Sequence, residues 1–212
     1  MQEPIPYGKQ NLIREDIEAV ISVLKSDFIT QGPVVEEFEK AFAEYIGSKY
    51  AVAVSNGTTA LHLSALGLNV SPGDKVITSP LTFAASANCI LYCGGDVEFV
   101  DIDPKTLCID LNKVEDTLKK NAAGDIKGII PVDFGGYPVN TEDIRSLADK
   151  YGLWILEDAC HAPGASFTDS KGKKQQSGNG EFSDLSIFSF HPVKHIATGE
   201  GGMITGNDLE KI

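Results

Sequence analysis

Lys194 lies in the stretch "SIFSFHPVKHIATGEGGMITG", between an apolar run ending at Phe190 and the glycines Gly199, Gly201 and Gly202. An amine held beside backbone that can approach a ligand closely is suited to attack an aldehyde, if burial lowers its pKa; a solvated surface lysine is the ordinary alternative. Ser189, in the same stretch, can donate to a phosphate. In "LEDACHAPG", Asp158 ends an apolar run and His161 follows three residues later. A carboxylate there is costly to desolvate unless it meets a cation, such as a protonated ring nitrogen, or several donors. Read alone, Asp158 serves equally as a cap for the next segment and His161 as a satisfied core histidine. Cys160, between them, invites a Cys-His nucleophile, but nothing else for a thiol mechanism is in view and a small buried filler fits better.

Two further places complete the set. In "VSNGTTALHL", Gly57 and Thr58 fall where a strand gives way to a helix. Free N–H groups and the positive dipole end gather there, so an anion can bind, although an ordinary Gly-Thr N-cap is spelled the same way. Phe83 in "PLTFAASAN" can stack on a planar heterocycle; an aromatic is more commonly core. Each signal is weak by itself. An anion cradle, a flat aromatic, a carboxylate for a pyridinium and a lysine for an aldehyde together meet the requirements of pyridoxal 5'-phosphate (PLP). A nicotinamide-binding Rossmann enzyme is excluded, because no strand is followed by GxGxxG.

These residues work together only if one scaffold gathers them at strand ends, where open α/β sheets bind ligands. The pattern provides that scaffold. "REDIEAVISVLKS" puts Ile17, Val20, Ile21 and Leu24 on one helical face, and "PVVEEFEKAFAEYIG" follows with Pro33 at a first turn and Gly47 at the stop. The chain then alternates: buried strand "YAVAVS", helix "TTALHLSALGL", strand "KVITSP", helix "FAASANCILYCG", strand "VEFVDID", helix "LNKVEDTLKK", strand "IKGIIPVD", helix "TEDIRSLADKYG" and strand "LWILEDA". That alternation predicts an α/β fold with a mostly parallel sheet and helices on both faces. Residues 166–184, polar and Gly-rich, predict a hairpin or exposed loop; "LSIFSF" and "GMITG" predict two more strands, and "NDLEKI" the start of a helix.

The bulk properties agree. The chain has 212 residues, 42% hydrophobic and 23% charged, which suits one large soluble domain. A net charge of −12 argues against nucleic acid or an anionic membrane as partner, while leaving room for a small phosphorylated ligand. No secretory signal or membrane-length apolar run is visible, and Cys89, Cys93, Cys108 and Cys160 form neither a zinc pattern nor a disulfide framework, so a reduced cytoplasmic setting is expected.

The motifs "SDFITQGPVVEEFE", "SNGTTALHL", "VDIDP", "PVDFGG", "EDACHAPGA" and "FSFHPVKHIATGEGG", in that order, resemble those of the DegT/DnrJ/EryC1/StrS sugar aminotransferases. The resemblance implies the aspartate-aminotransferase-like fold (PLP fold type I), with residues 1–212 as the PLP-binding large domain, a helical segment over about 1–48, and the family's C-terminal small domain absent. It also implies that Lys194 carries the cofactor as a Schiff base, that Asp158 pairs with the pyridine nitrogen, and that His161 lies at the ring hydroxyl side. Phe83 would stack on the ring, and Gly57, Thr58 and Ser189 would hold the phosphate. Tyr7, Asp27, Phe28, Ile29 and Thr30 would fall near a sugar nucleotide. Within the family, "PYGKQ", "KSDFITQGP", "ANCILYCG", "PVDFGG" and "FSFHPVKHI" are most similar to the pseudaminic-acid branch. The implied reaction is amino transfer from L-glutamate to C4 of a UDP-linked 4-keto-6-deoxy-N-acetylhexosamine, in a homodimer with its active site at the subunit interface. The alternatives are another nucleotide-sugar aminotransferase, a PLP-dependent sugar dehydratase of the same family, or an inactive PLP-binding or dimerising fragment. Dehydratases replace the Schiff-base lysine with histidine, whereas Lys194 is present here.

Overall fold

The computed structural model describes residues 5, 6, 8–121 and 124–212. Near-continuous apolar runs become strands covered on both faces, as parallel strands require. Seven strands form one sheet in the order β1-β9-β8-β5-β4-β2-β3: β1 (Tyr50–Val54), β2 (Lys75–Thr78), β3 (Asp96–Phe99), β4 (Ile126–Ile130), β5 (Trp154–Asp158), β8 (Leu185–Ser189) and β9 (Gly202–Gly206). β9 is antiparallel to both β1 and β8, and the other pairs are parallel. The predicted α/β architecture is therefore present. Strands β6 (Ser166–Thr168) and β7 (Lys174–Gln176) form a separate hairpin.

Successive residues of β5 enter different cores. Leu156 packs with Ala60, Leu61, Ile90 and Ile187 under helices α3 (Gly57–Gly67) and α4 (Ala85–Tyr92). Ile155 packs with Val114, Leu118, Ile144 and Ala148 under α5 (Leu111–Lys120) and α6 (Thr141–Tyr151). This alternation sends Asp158 to the α3/α4 side and Glu157 to the other. A third cluster joins Phe42 and Ile46 of α2 (Pro33–Ile46) to Phe188, Phe190 and Met203, with the Phe42 and Phe188 rings edge-on at 4.9 Å. Helix α2 starts on Pro33 and stops at Gly47 (φ 84°), as the sequence predicts.

Two expectations need correction, on β1 and on the final segment, and two are borne out with added detail. Strand β1 is not buried: it is the sheet edge, paired with β9 alone, and is half-buried with Tyr50 exposed. Helix α1 (Arg14–Leu24) forms where predicted, and its face of Ile17, Val20, Ile21 and Leu24 is exposed among the described residues. Of the two alternatives for 166–184 the hairpin is the one present, held by Gln175 and Asp169, which are buried and bonded to each other at 2.7 Å. The final segment makes a turn instead of a helix, with the Lys211 N–H on the Asp208 carbonyl and its ammonium drawn to Asp184 at 2.7 Å.

Candidate active site

Asp158 ends β5 and is 4% exposed. Its Oδ2 accepts the Ser86 hydroxyl at 2.7 Å and its Oδ1 the Cys160 N–H at 3.2 Å. Ser86, on α4, is fully buried, and its hydroxyl also shares a 2.7 Å bond with Thr82. One hydroxyl and one amide are thin compensation for a buried carboxylate, so a cation against Asp158 fits the donor set. Ser86 went unnoticed in the sequence. Its only signal was a polar residue on the inward face of an otherwise apolar helix.

Helix α3 begins at Gly57, above the ends of β8 and β9. The cap is Asn56, not Gly-Thr: its side chain accepts the Thr59 N–H at 2.8 Å and its carbonyl the Ala60 N–H at 3.0 Å. That leaves the Gly57 and Thr58 N–H groups as the free donors of this terminus. Glycine is required here by space. A Cβ on Gly57 would lie 2.9 Å from the Ser189 Cβ and 3.3 Å from its Oγ, and a Cβ on Gly202 would lie 2.5 Å from the Asn56 backbone. The two glycines let the helix terminus settle onto the strand ends, bringing Gly57, Ser189 and Cys160 together.

Lys194 is half-buried in the connection from β8 to β9. That loop is closed at its base by Phe190 N–H on the Gly201 carbonyl (2.8 Å) and Thr198 N–H on the Phe190 carbonyl (3.0 Å), and Lys194 N–H turns back onto the His191 carbonyl (2.8 Å). His161 is half-buried; its Nδ1 accepts the Gly135 N–H at 3.3 Å, and its ring meets Phe134 edge-on at 6.0 Å. Burial first, and the Lys194 charge second, push the imidazole below its ordinary pKa. His161 is therefore neutral at pH 7, and with Nδ1 accepting, its proton is on Nε2. The Cys160 thiol is pushed well up, by burial and then by Asp158, which makes it a poor nucleophile and supports the filler reading. Phe83 is 72% exposed and so is not core; it stands just before α4, with its ring free to stack.

These residues fit PLP: a buried carboxylate with no ion pair and a helix terminus with two free donors beside a serine hydroxyl, both among the described residues, an exposed ring, and an amine on the β8–β9 loop. The residues expected near the sugar nucleotide are not drawn into that cluster. Asp27, Phe28, Ile29 and Thr30 are exposed, and Phe28 is tied only to its neighbour Ser26, through bonds of 3.0 and 3.2 Å. Tyr7 lies outside the described residues. Close to it in sequence, Gln10 Nε2 donates to the Pro192 carbonyl at 2.6 Å and Gly8 packs on Val193, so residues 8–10 lie against the Lys194 loop. Among the described residues no helix is long and apolar enough to cross a membrane, and no cluster of three metal-ligating side chains is present.

Known proteins resemble this chain in sequence and in fold. The profile of the DegT/DnrJ/EryC1/StrS aminotransferase family matches residues 10–212. A UDP-4-amino-4,6-dideoxy-N-acetyl-beta-L-altrosamine transaminase from Campylobacter jejuni is 46% identical over 208 residues, covering 98% of this chain and 53% of the relative. The structure of Helicobacter pylori PseC, an aminotransferase of pseudaminic acid biosynthesis, superposes with a TM-score of 0.85 at 33% identity, over 99% of this chain and 54% of that one. A sugar aminotransferase from Streptococcus pneumoniae in its PLP-form does so at 0.83 and 29% identity, over 98% and 54%. The chain spans about half the length of the curated relatives it matches. Its sheet is that of the fold type I PLP enzymes. With the profile aligned over nearly every residue and the fold shared throughout, this chain belongs to the DegT/DnrJ/EryC1/StrS aminotransferase family.

Proposed function

We propose that the protein is a PLP-dependent aminotransferase acting on a nucleotide sugar. In this reading it moves an amino group from L-glutamate to C4 of a UDP-linked 4-keto-6-deoxy-N-acetylhexosamine, as a cytoplasmic homodimer with the active site at the subunit interface. Residues 1–212 are its PLP-binding large domain. The observation that carries the reading is Asp158, buried at a strand end with the Ser86 hydroxyl and Cys160 N–H as its partners among the described residues, beside the Gly57–Ser189 cradle. The names of the Campylobacter and Helicobacter relatives support the choice of sugar.

The chemistry supplied by bound PLP is an aldehyde that captures amines and a cationic ring that accepts electrons from the carbon being deprotonated. Lys194 Nζ would hold the aldehyde, and as a free amine it would carry the proton of the amino donor's α-carbon. The Asp158 carboxylate keeps the ring nitrogen protonated. Gly57 N–H, Thr58 N–H and the Ser189 hydroxyl bind the phosphate, Phe83 covers the ring, and neutral His161 offers Nε2–H at the ring hydroxyl side. Residues 27–30, with Tyr7 by the family resemblance alone, would serve the sugar nucleotide.

Incubation with PLP followed by borohydride, with peptide mass mapping, tests the site directly. A phosphopyridoxyl group on Lys194 is expected; a folded protein labelled only on other lysines would refute the assignment. Gly57→Ala should weaken PLP binding about ten- to a hundredfold, roughly 1.4 to 2.8 kcal/mol, because its Cβ pushes against Ser189 and parts the two halves of the cradle. A fluorescence titration of PLP measures this.

A further inference from the structure

Behind Asp158 lies a pair of carboxyls that the proposed reaction does not use. Val132 bridges to Asp158 in parallel register, so Asp133 and Glu157 flank that bridge on the opposite face of the sheet. Asp133 is fully buried and Glu157 is 3% exposed. Glu157 Oε2 accepts three donors: Ser186 Oγ at 2.8 Å, Gly178 N–H at 3.1 Å and Ser183 Oγ at 3.2 Å. Asp133 Oδ1 accepts the Val139 N–H at 2.8 Å, whereas its Oδ2 is buried with no donor among the described residues. The groups facing Asp133 are Glu157, Asp158, the buried Ser177 and, further off, the thiols of Cys108 and Cys160; none is a cation. Two adjacent buried carboxylates without a cation are strongly disfavoured. Burial first, and the Glu157 charge second, hold the Asp133 carboxyl well above the usual range. A Ser177 hydroxyl bond would satisfy the unpaired oxygen but leave both anions side by side. A proton on Oδ2 removes both problems, because the oxygen then donates to Glu157.

We propose that Asp133 and Glu157 hold one proton between them in the folded protein, and that this bond is a positioning device for His161. Asp133 N–H donates to the Asp158 carbonyl at 3.1 Å, and the residue opens the 3₁₀ turn Phe134–Gly136. That turn presents the Gly135 N–H to His161 Nδ1, and it passes so close that a Cβ on Gly136 would lie 2.9 Å from the His161 carbonyl. A shift of Asp133 therefore moves the donor that sets the His161 tautomer. The positioning role rests on the proposed function of His161, whereas the proton count rests on the protein's own groups.

The sign of the pH dependence follows. Unfolded carboxyls titrate at about 3.9 to 4.3, while the folded pair keeps its proton to higher pH. Unfolding then releases a proton, and stability falls as pH rises through that window, by about tenfold in the unfolding constant per unit. Denaturant unfolding of the purified protein from about pH 5 to pH 8, with infrared detection of the carboxylic acid C=O stretch, tests the pair. The wild type should show the acid band at neutral pH and the steep slope. Asp133→Asn, which imitates the protonated form, should lose both while folding normally. Glu157→Gln serves if that variant does not fold, since its amide donates without a shared proton and the slope again disappears. No acid band in the wild type, or parallel pH slopes for wild type and variant, would overturn the proposal. Nitrogen-15 shifts of His161 test the positioning: the Nε2–H tautomer should persist in Asp133→Asn and be lost in Asp133→Ala. Identical His161 shifts in all three proteins would reduce the pair to a structural role.

Discussion

Lys194→Ala is expected to abolish amino transfer, lowering turnover by at least about 10²- to 10⁴-fold through loss of the proton carrier alone. Loss of covalent capture adds to this, and borohydride should no longer fix PLP at this position. The fold should survive. Lys194 contributes its N–H to a turn with the His191 carbonyl, which alanine retains, so stability should change by no more than about 0.5 kcal/mol. A small amine added to the assay should restore part of the activity, since it supplies the missing base without the tether. A variant that kept turnover within a few-fold of wild type would place proton transfer on another group, and His161 would be the next to examine.

How far this site could be read beforehand depended on whether its signals were local. Asp158 was legible because a carboxylate closing an apolar strand breaks a pattern, and parallel sheets put such ends in one place. Gly57 was legible as a strand-to-helix junction. Its true cap, Asn56, also fits the usual N-cap preference, and the sequence alone does not rank it above the Gly-Thr pair that follows. Phe83 shows the limit of frequency arguments. Aromatics are commonly core, but this one precedes a helix whose inward face is already filled by Ala85, Ser86, Cys89 and Ile90, so it is left outside. Ser86 and the Asp133–Glu157 pair were illegible for a different reason. Each acquires meaning only from a partner far along the chain, Asp158 for the serine and, for the two acids, each other across the Val132–Asp158 bridge. The edge position of β1 was likewise a matter of strand order, which apolar runs do not encode.

Asp158→Asn separates stability from function at the same position. The amide fits the same space, keeps an oxygen for the Ser86 hydroxyl, and removes a buried charge that has only two donors in the protein itself. Without cofactor the variant should therefore be as stable as wild type or more so, because an uncompensated buried carboxylate costs several kcal/mol. With cofactor the order should reverse. Removing one partner of a buried ion pair costs about 3 to 5 kcal/mol, which corresponds to a loss of PLP affinity of about 10²- to 5 × 10³-fold. At PLP a hundredfold above its wild-type Kd, the wild type gains about 2.7 kcal/mol from binding, and the variant should gain well under 1 kcal/mol at the same concentration. Turnover at saturating PLP should fall as well, because an unprotonated ring accepts electrons poorly. Thermal unfolding with and without PLP reads all of this in one experiment. Equal PLP-induced shifts in the two proteins would mean that Asp158 faces no cation, leaving its burial to be explained by Ser86 and the backbone alone.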